Sequence, residues 1–187
     1  YLELVGRAYL PAGLARQVES LRPSASAVCV YLGVDYTPDV EPLTLVRGEA
    51  GGVFIAIPSK VDPSLAPAGH SAMVLVSLVP PDTDGHWDRK APGYRERKRR
   101  AGDELIARAE QVLPGLREHI VYRQECTPAT VSRYARTSAG SIYGPALGGR
   151  VHAKAPVEGL VLAGSGVFPG AGVEAVVISG TIAADIL

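Results

Sequence analysis

The chain has 187 residues, of which 47% are hydrophobic, and its 19 basic side chains balance its 19 acidic ones. This length and composition are sufficient for a buried core and predict one or two globular domains. The balanced charge argues against nucleic acid as a partner, because it supplies no bulk attraction to a phosphate backbone.

The first half of the chain predicts one helix followed by several strands. Residues 11–21 repeat apolar side chains at helical spacing after a proline, which predicts a helix. Residues 25–34 alternate and then run apolar, as is typical of a strand. Residues 52–57 and 71–79 are also predicted strands, and residues 43–47 are a weaker candidate. The strand at 71–79 is the most apolar, so we expect it to be the central one.

The second half alternates helices and strands up to a glycine-rich end. Residues 92–113 carry an apolar stripe that predicts a long helix. Residues 120–123 predict a strand. Thr127 and Pro128 then form a favourable helix start, because a threonine hydroxyl can cap a helix and proline suits its first position.

The last thirty residues are the most informative part of the chain. Residues 160–163 predict a strand that is covered on both faces. Four glycines and a proline follow within residues 164–172, so the backbone there can approach a ligand closely. A helix predicted from Val173 onward is apolar on nearly all sides, which favours a buried helix. Its first turn would direct unpaired N–H groups at the ligand.

The sequence from Ala163 to Ala184, beginning Ala-Gly-Ser-Gly-Val-Phe-Pro-Gly-Ala-Gly-Val-Glu, resembles the C-terminal flavin-contacting segment of the phytoene desaturase and carotenoid isomerase family. This family lies within the FAD-dependent amine oxidase-like oxidoreductases. Supporting resemblances occur in residues 21–34, 57–70 and 127–144. Together these segments extend the resemblance over most of residues 10–187.

The resemblance implies FAD as the cofactor and assigns residues to it. The implied cofactor-binding residues are Gly164, Ser165, Gly166, Pro169, Gly170, Gly172, Val173 and Glu174. Many flavoenzymes of the wider class have an acidic residue at the position of Ser165, so only the backbone role carries over intact. The resemblance also places Tyr134 and Tyr143 beside the flavin or an apolar substrate, although ordinary packing would explain these tyrosines equally well. No catalytic residue is assigned.

A Gly-x-Gly-x-x-Gly dinucleotide-binding motif does not occur in the chain. The chain also begins at Tyr1 and is short for a two-domain flavoenzyme, so we expect it to be the C-terminal portion of a longer protein. Residues 1–150 are interpreted as part of a substrate-binding domain, and residues 151–187 as the closing strand-turn-helix of a Rossmann-like FAD-binding domain. The predicted fold class is mixed α/β or α+β. Alone, the chain is expected to be inactive and not to bind FAD.

The function implied for the whole protein is flavin-dependent desaturation, saturation or cis–trans isomerisation of a carotenoid-like or other apolar polyene. One alternative is an amine oxidase-like flavoenzyme. Another is a non-enzymatic module that binds a ligand or a protein. A reading frame that encodes the dinucleotide motif upstream would favour an enzyme.

Further expectations concern partners and location. The missing N-terminal FAD-binding part is the expected intramolecular partner, and surfaces left uncovered would favour a homo-oligomer. Basic residues at 89–90 and 95–100 suggest a solvated helix face or association with an anionic membrane surface. Cys29 and Cys126 have no metal or redox spacing and are interpreted as unpaired thiols of a cytoplasmic protein. No metal site is predicted; the acidic loop around Asp82 is interpreted as solvated.

Overall fold

The computed structural model describes residues 5–48, 51–146, 151–155 and 157–187. Within it the chain forms two compact units. One unit contains residues 26–140, and the other contains the described residues up to Ala25 together with those from Ser141 onward. The sequence-based division at residue 150 assigned parts of the chain to a substrate domain and a flavin domain, and that assignment stays a prediction.

The unit of residues 26–140 contains a five-stranded antiparallel sheet. Its strands are β1 (Ser26–Val34), β2 (Leu43–Val46), β3 (Val53–Ala56), β4 (Ser71–Val79) and β5 (Ile120–Cys126). They are arranged in the order β2-β3-β4-β1-β5, and each neighbouring pair is antiparallel. The most apolar strand, β4, is therefore central, which confirms the prediction.

Four α-helices lie wholly within the described residues. They are α1 (Ala12–Ser20), α2 (Tyr94–Ala109), α3 (Pro128–Ala135) and α4 (Val173–Ile186). Helix α2 begins two residues later than predicted, after Gly93 in the left-handed conformation with φ of 73°, and it ends at Ala109 instead of residue 113. Helix α3 begins as predicted: Thr127 and Thr130 form a capping box and Pro128 is the first helical residue. The mixed fold class is confirmed.

The core of the sheet unit lies between one face of the sheet and helix α2. Val30, Ile55 and Leu75 of the sheet are fully buried there, as is Ile106 of α2. Burial of a side chain of this size contributes about 1.5–3 kcal/mol to folding. The alternation of side chains along each strand directs these residues to a single face, so the opposite face of the sheet remains separate from this core.

The other unit has a smaller core. Val151, Ala153 and Val167 are buried in it. Val18 of α1 and Ile182 of α4 are among the partly buried residues that pack against them. Two helices and the irregular segments between residues 151 and 172 therefore share one small apolar cluster.

Two predictions for the C-terminal segment were wrong. The expected strand at residues 160–163 is a single antiparallel bridge between Lys154 and Val161, because no continuous ladder of partners pairs with it among the described residues. The expected buried helix, α4, buries only Ser179; Val177 and Leu187 are 63% and 89% exposed. A helix that is apolar on all sides needs neighbours on all sides, and the described residues cover one side.

No described helix is both long and apolar enough to cross a bilayer.

Candidate functional site

The glycine-rich turn at residues 164–172 leads directly into α4. Gly164, Gly170 and Gly172 have φ angles of 114°, 127° and 115°, which residues with a Cβ atom rarely adopt. A Cβ atom at Gly164 would meet no described heavy atom within 4 Å, so the space beside this backbone is open. The turn therefore presents bare backbone to its surroundings. Within it, Ser165, Gly166 and Pro169 are half-buried, and Gly170 is buried.

Ser179, in α4, fixes the beginning of this turn. Its side chain is fully buried, and its Oγ accepts a hydrogen bond of 3.1 Å from the N–H of Gly164. A buried hydroxyl that is paired with backbone in this way ties the turn to the helix. Sequence reasoning missed Ser179. The available signal was a hydroxyl within a mostly apolar stretch of helix.

The segment containing Tyr143 and Gly144 contacts the same turn. A Cβ atom on Gly144, whose φ is 70°, would lie 2.7 Å from the carbonyl oxygen of Ser165, so only glycine fits. The hydroxyl of Ser141 donates a hydrogen bond of 2.5 Å to the carbonyl of Gly144 and holds this segment. Tyr143 is 46% exposed. The structure thus brings together two segments that the sequence singled out separately.

The first turn of α4 carries unpaired backbone donors. The carbonyl of Gly172 accepts the N–H of Val176 at 3.0 Å, whereas the N–H groups of Val173 and Glu174 have no acceptor among the described residues. Such groups and the positive end of the helix dipole favour a polar or negatively charged group nearby. The exposed carboxylate of Glu174 lies in this turn and adds negative charge there.

A second surface is the sheet face that points away from α2. Strand register aligns its side chains in rows across the sheet. One row contains Leu45, Phe54, Val76, Cys29 and Cys126, and the next contains Leu43, Ala56, Val74, Tyr31 and Gln124. Leu43, Leu45, Phe54 and Tyr31 are between 38% and 69% exposed. We call these two rows the open face.

The open face is almost entirely apolar, with Gln124 at its margin. An apolar surface of several adjacent strands usually marks a binding or packing surface. Its sequence signal was the near-continuous apolar run of β4, which is typical of a strand covered on both faces. The sequence did not indicate that one of those faces would lie exposed among the described residues.

A pocket of about 400 Å³ lies at the β5 end of the open face, beside α3. Tyr31, Cys126, Thr130 and Tyr134 are among its lining residues. Tyr134 is 76% exposed, and the guanidinium carbon of Arg133 lies 5.4 Å from the centre of its ring. Tyr134 therefore lines a largely apolar pocket within the sheet unit, whereas Tyr143 belongs to the other unit.

The acidic loop before α2 uses its carboxylates locally. Asp82, Asp84 and Asp88 each accept a hydrogen bond from a backbone N–H two to five residues later in the chain. Such bonds stabilise turns. Across the described ranges, no group of three or more His, Cys, Asp or Glu side chains is arranged to hold a metal ion.

Several proteins of known name are similar to this chain in sequence. No protein family model matches the chain. It is 34% identical over 143 residues to prolycopene isomerase 2 of an Oncidium hybrid cultivar, covering 72% of the chain and 24% of that relative. It is 31% identical to the neurosporene-forming phytoene desaturase of Rhodobacter capsulatus, covering 84% of the chain and 31% of that relative. For a phytoene dehydrogenase of Streptomyces griseus the identity is 32%, over 88% of the chain and 37% of that relative.

A solved structure also resembles the chain in its fold. A solved oxidoreductase from Methanosarcina mazei matches 96% of the chain and 37% of its own length, with a TM-score of 0.58 and 19% identity. The chain therefore shares the fold of the corresponding part of that protein. The sequence identities are more specific than the likeness in fold, and they confirm the predicted family resemblance. The chain is a homologue of the phytoene desaturase and carotenoid isomerase family. It spans between about a quarter and two-fifths of the length of these curated relatives.

Proposed function

We propose that the chain is the C-terminal portion of a flavin-dependent oxidoreductase that acts on a carotenoid-like or other apolar polyene. The observation that carries the proposal is the 31–34% identity to enzymes named for prolycopene and phytoene. Both substrates are long apolar polyenes. The proposed reactions are desaturation, saturation or cis–trans isomerisation.

The proposed FAD site is the glycine-rich turn together with the first turn of α4. Open space beside Gly164 and the unpaired N–H groups of Val173 and Glu174 suit a flat polar group that approaches bare backbone. Ser165 would contribute its backbone, and its hydroxyl is a weaker partner than the carboxylate found in related flavoenzymes. The residues present therefore fit a flavin held mainly by backbone.

A bound flavin supplies the hydride or electron exchange with the double-bond system of the substrate, and the protein binds, orients and excludes water. The N terminus of α4 favours negative charge by about 0.3–1 kcal/mol, which would favour the reduced, anionic flavin. Glu174 lies in the same turn and opposes part of this effect. The backbone donors thus orient the cofactor more than they shift its charge.

The proposed substrate surface is the open face with its adjacent pocket. Leu45, Phe54 and Tyr31 offer apolar contacts in rows that suit an extended hydrocarbon chain. Tyr134 lines the pocket at one end of these rows and is a proposed substrate contact. Tyr143, held beside the turn, is a separate proposed contact near the cofactor.

The whole protein is proposed to supply the dinucleotide-binding part from sequence outside this chain. That part would cover the apolar side chains of α4, including Val177 and Leu187. In the isolated chain these side chains and the open face would favour self-association. Size-exclusion chromatography would detect the resulting homo-oligomer, and a monomer at micromolar concentration would contradict this part of the proposal.

The basic residues at the start of α2 are proposed to contact a membrane surface. Arg95, Arg99 and Arg100 are exposed, and cations in the first turns of a helix oppose its dipole, so helix stability does not explain them. Each would contribute about 1 kcal/mol on an anionic surface. Sedimentation of the intact protein with anionic and neutral liposomes tests this proposal; equal binding to both would refute it.

The flavin proposal is tested with the intact protein and a matched pair of variants. Gly164 and Gly159 both have positive φ, and a Cβ atom at either would meet no described atom within 4 Å. We expect the intact protein to purify yellow, Gly164→Ala to lose most of its bound flavin, and Gly159→Ala to retain it. This chain alone should be colourless. Equal flavin content in the two variants would contradict the proposed position, and a colourless intact protein would contradict the cofactor.

A further inference from the structure

Cys29 and Cys126 lie directly opposite each other on neighbouring antiparallel strands, β1 and β5. Opposed residues in antiparallel strands have Cα atoms roughly 4.5 or 5.5 Å apart, depending on their place in the hydrogen-bond pattern. Disulfides span Cα separations of about 4.4–6.8 Å. Either arrangement therefore meets the Cα separation that a disulfide between the two residues requires. Both are free thiols in the structure.

Reagents can reach this pair from the open face. Cys126 is 9% exposed and lines the pocket of about 400 Å³ beside α3. Cys29 lies in the same row of side chains and is half-buried. Of the two cysteines, Cys126 lines this pocket, together with Tyr31 and Thr130, so a small molecule that enters the pocket meets Cys126 first.

The surroundings of the two thiols shift their pKa values in opposite directions, so one thiol is suited to attack and the other to resolve the mixed disulfide. The pKa of Cys126 is lowered to about 7 in spite of burial by a hydrogen bond from the Cys29 thiol first, and also by a hydrogen bond with Thr130 and the charge of Lys98. The same hydrogen bond, with burial, raises the pKa of Cys29. The thiolate is the nucleophile in thiol chemistry, so near neutral pH Cys126 is the attacking group.

We propose that Cys29 and Cys126 form a reversible dithiol site whose oxidants are small disulfides. The Cys126 thiolate attacks one sulfur of the small disulfide, which forms a mixed disulfide and releases one small thiolate. Cys29 gives up its proton to the released thiolate and attacks the sulfur of Cys126, which forms the cross-strand bond and releases the second small thiol. The protein loses two electrons and two protons, and one small disulfide becomes two thiols.

The reaction should be measured on the full chain with oxidised glutathione, followed by acid quenching, alkylation and intact-mass analysis. We expect the wild type to lose two alkylation sites and to keep no glutathione. Cys29→Ser should accumulate a mixed disulfide at Cys126, because the resolving thiol is gone. Cys126→Ser should form its adduct at least 10-fold more slowly.

Circular dichroism of both variants checks that they are folded. As a measurement independent of the variants, peptide mapping of oxidised wild type should find the Cys29–Cys126 bond within one molecule. Two outcomes would overturn the proposal: both wild-type thiols remain open to alkylation in excess oxidised glutathione, or the bond forms only between molecules. Equal adduct rates in the two folded variants would overturn the assigned order of attack.

Discussion

The hydroxyl of Ser179 accepts the N–H of Gly164 at 3.1 Å and joins the middle of α4 to the start of the glycine-rich turn. Ser179 is the one residue of α4 that is fully buried. The helix therefore positions the turn through a polar contact, while most of its apolar side chains remain uncovered among the described residues. This relationship is a direct target for mutation.

Ser179→Ala should destabilise the chain by about 1–2 kcal/mol, because the N–H of Gly164 would lose its partner in a part-buried position. Thr181→Ala is the matched control: its hydroxyl bonds back to the carbonyl of Val177 in an exposed part of the same helix. Urea denaturation of both variants measures the difference. Equal stability of the two variants would show that the buried hydrogen bond does not hold the turn.

Gly144→Ala should displace the turn from its neighbouring segment. The new Cβ atom would lie 2.7 Å from the carbonyl oxygen of Ser165, and backbone cannot move aside as a side chain can. We expect a loss of about 3 kcal/mol from overlap and left-handed strain together. Gly159→Ala has a similar positive φ without a nearby atom and should lose only about 1 kcal/mol. Thermal unfolding compares them, and a smaller loss for Gly144→Ala would contradict the contact.

Among the positive-φ glycines of the sheet unit, Gly140 should be the one whose replacement by alanine lowers stability most. A Cβ atom there would lie 2.4 Å from the carbonyl oxygen of Pro128, at the start of α3. We expect a loss of about 3 kcal/mol or more. Gly69→Ala shares the positive φ but has open space, so about 1 kcal/mol is expected. If denaturant midpoints of the two variants coincide, the close approach to Pro128 has no energetic consequence.

The stabilising contribution of Asp103 to the sheet unit should be lost in acid. Its carboxylate accepts a hydrogen bond of 2.6 Å from Arg123, which lowers the pKa of Asp103 from its ordinary value of 3.8. A carboxyl with a lowered pKa in the folded state stabilises the fold above that ordinary value, and the contribution is lost as pH falls below about 4. The side chain is 39% exposed, so water screens the pair and the effect should stay under about 1 kcal/mol.

The measurement is the free energy of unfolding at pH 6 and pH 3. Asp103→Asn should show a smaller difference between these pH values than the wild type. Glu104→Gln serves as control, because Glu104 is exposed on the same helix and forms no ion pair with a described residue. An equal reduction in both variants would point to general charge effects instead of the Asp103–Arg123 pair.

Much of the local structure could be predicted from the sequence, because short-range chemistry determines it. The capping box at Thr127 and Thr130 needs only residues three apart. The central place of β4 follows from its apolar composition. The glycine-rich turn could be recognised since few residues other than glycine tolerate φ near 115°. Each signal lies within a few neighbouring residues.

The strand at residues 160–163 and the burial of α4 could not be predicted from their own residues. A strand exists only when a partner continues its ladder, and Val161 has a single bridge to Lys154. A helix is buried only when other elements surround it, and α4 keeps Val177 63% exposed. The apolar sequence of each segment indicates that it is suited to pairing or burial. Whether it is paired or buried depends on the elements that lie next to it in the folded chain.

By itself, the sequence determined the family relationship, the mixed fold class and the bare backbone at residues 164–172, because motif, propensity and glycine content are local properties. Only the tertiary structure decided that Ser179 holds Gly164 and that Cys29 faces Cys126. The reason is physical: antiparallel register and helix packing bring together residues that are distant in the chain, and no spacing along the sequence encodes which of them will meet.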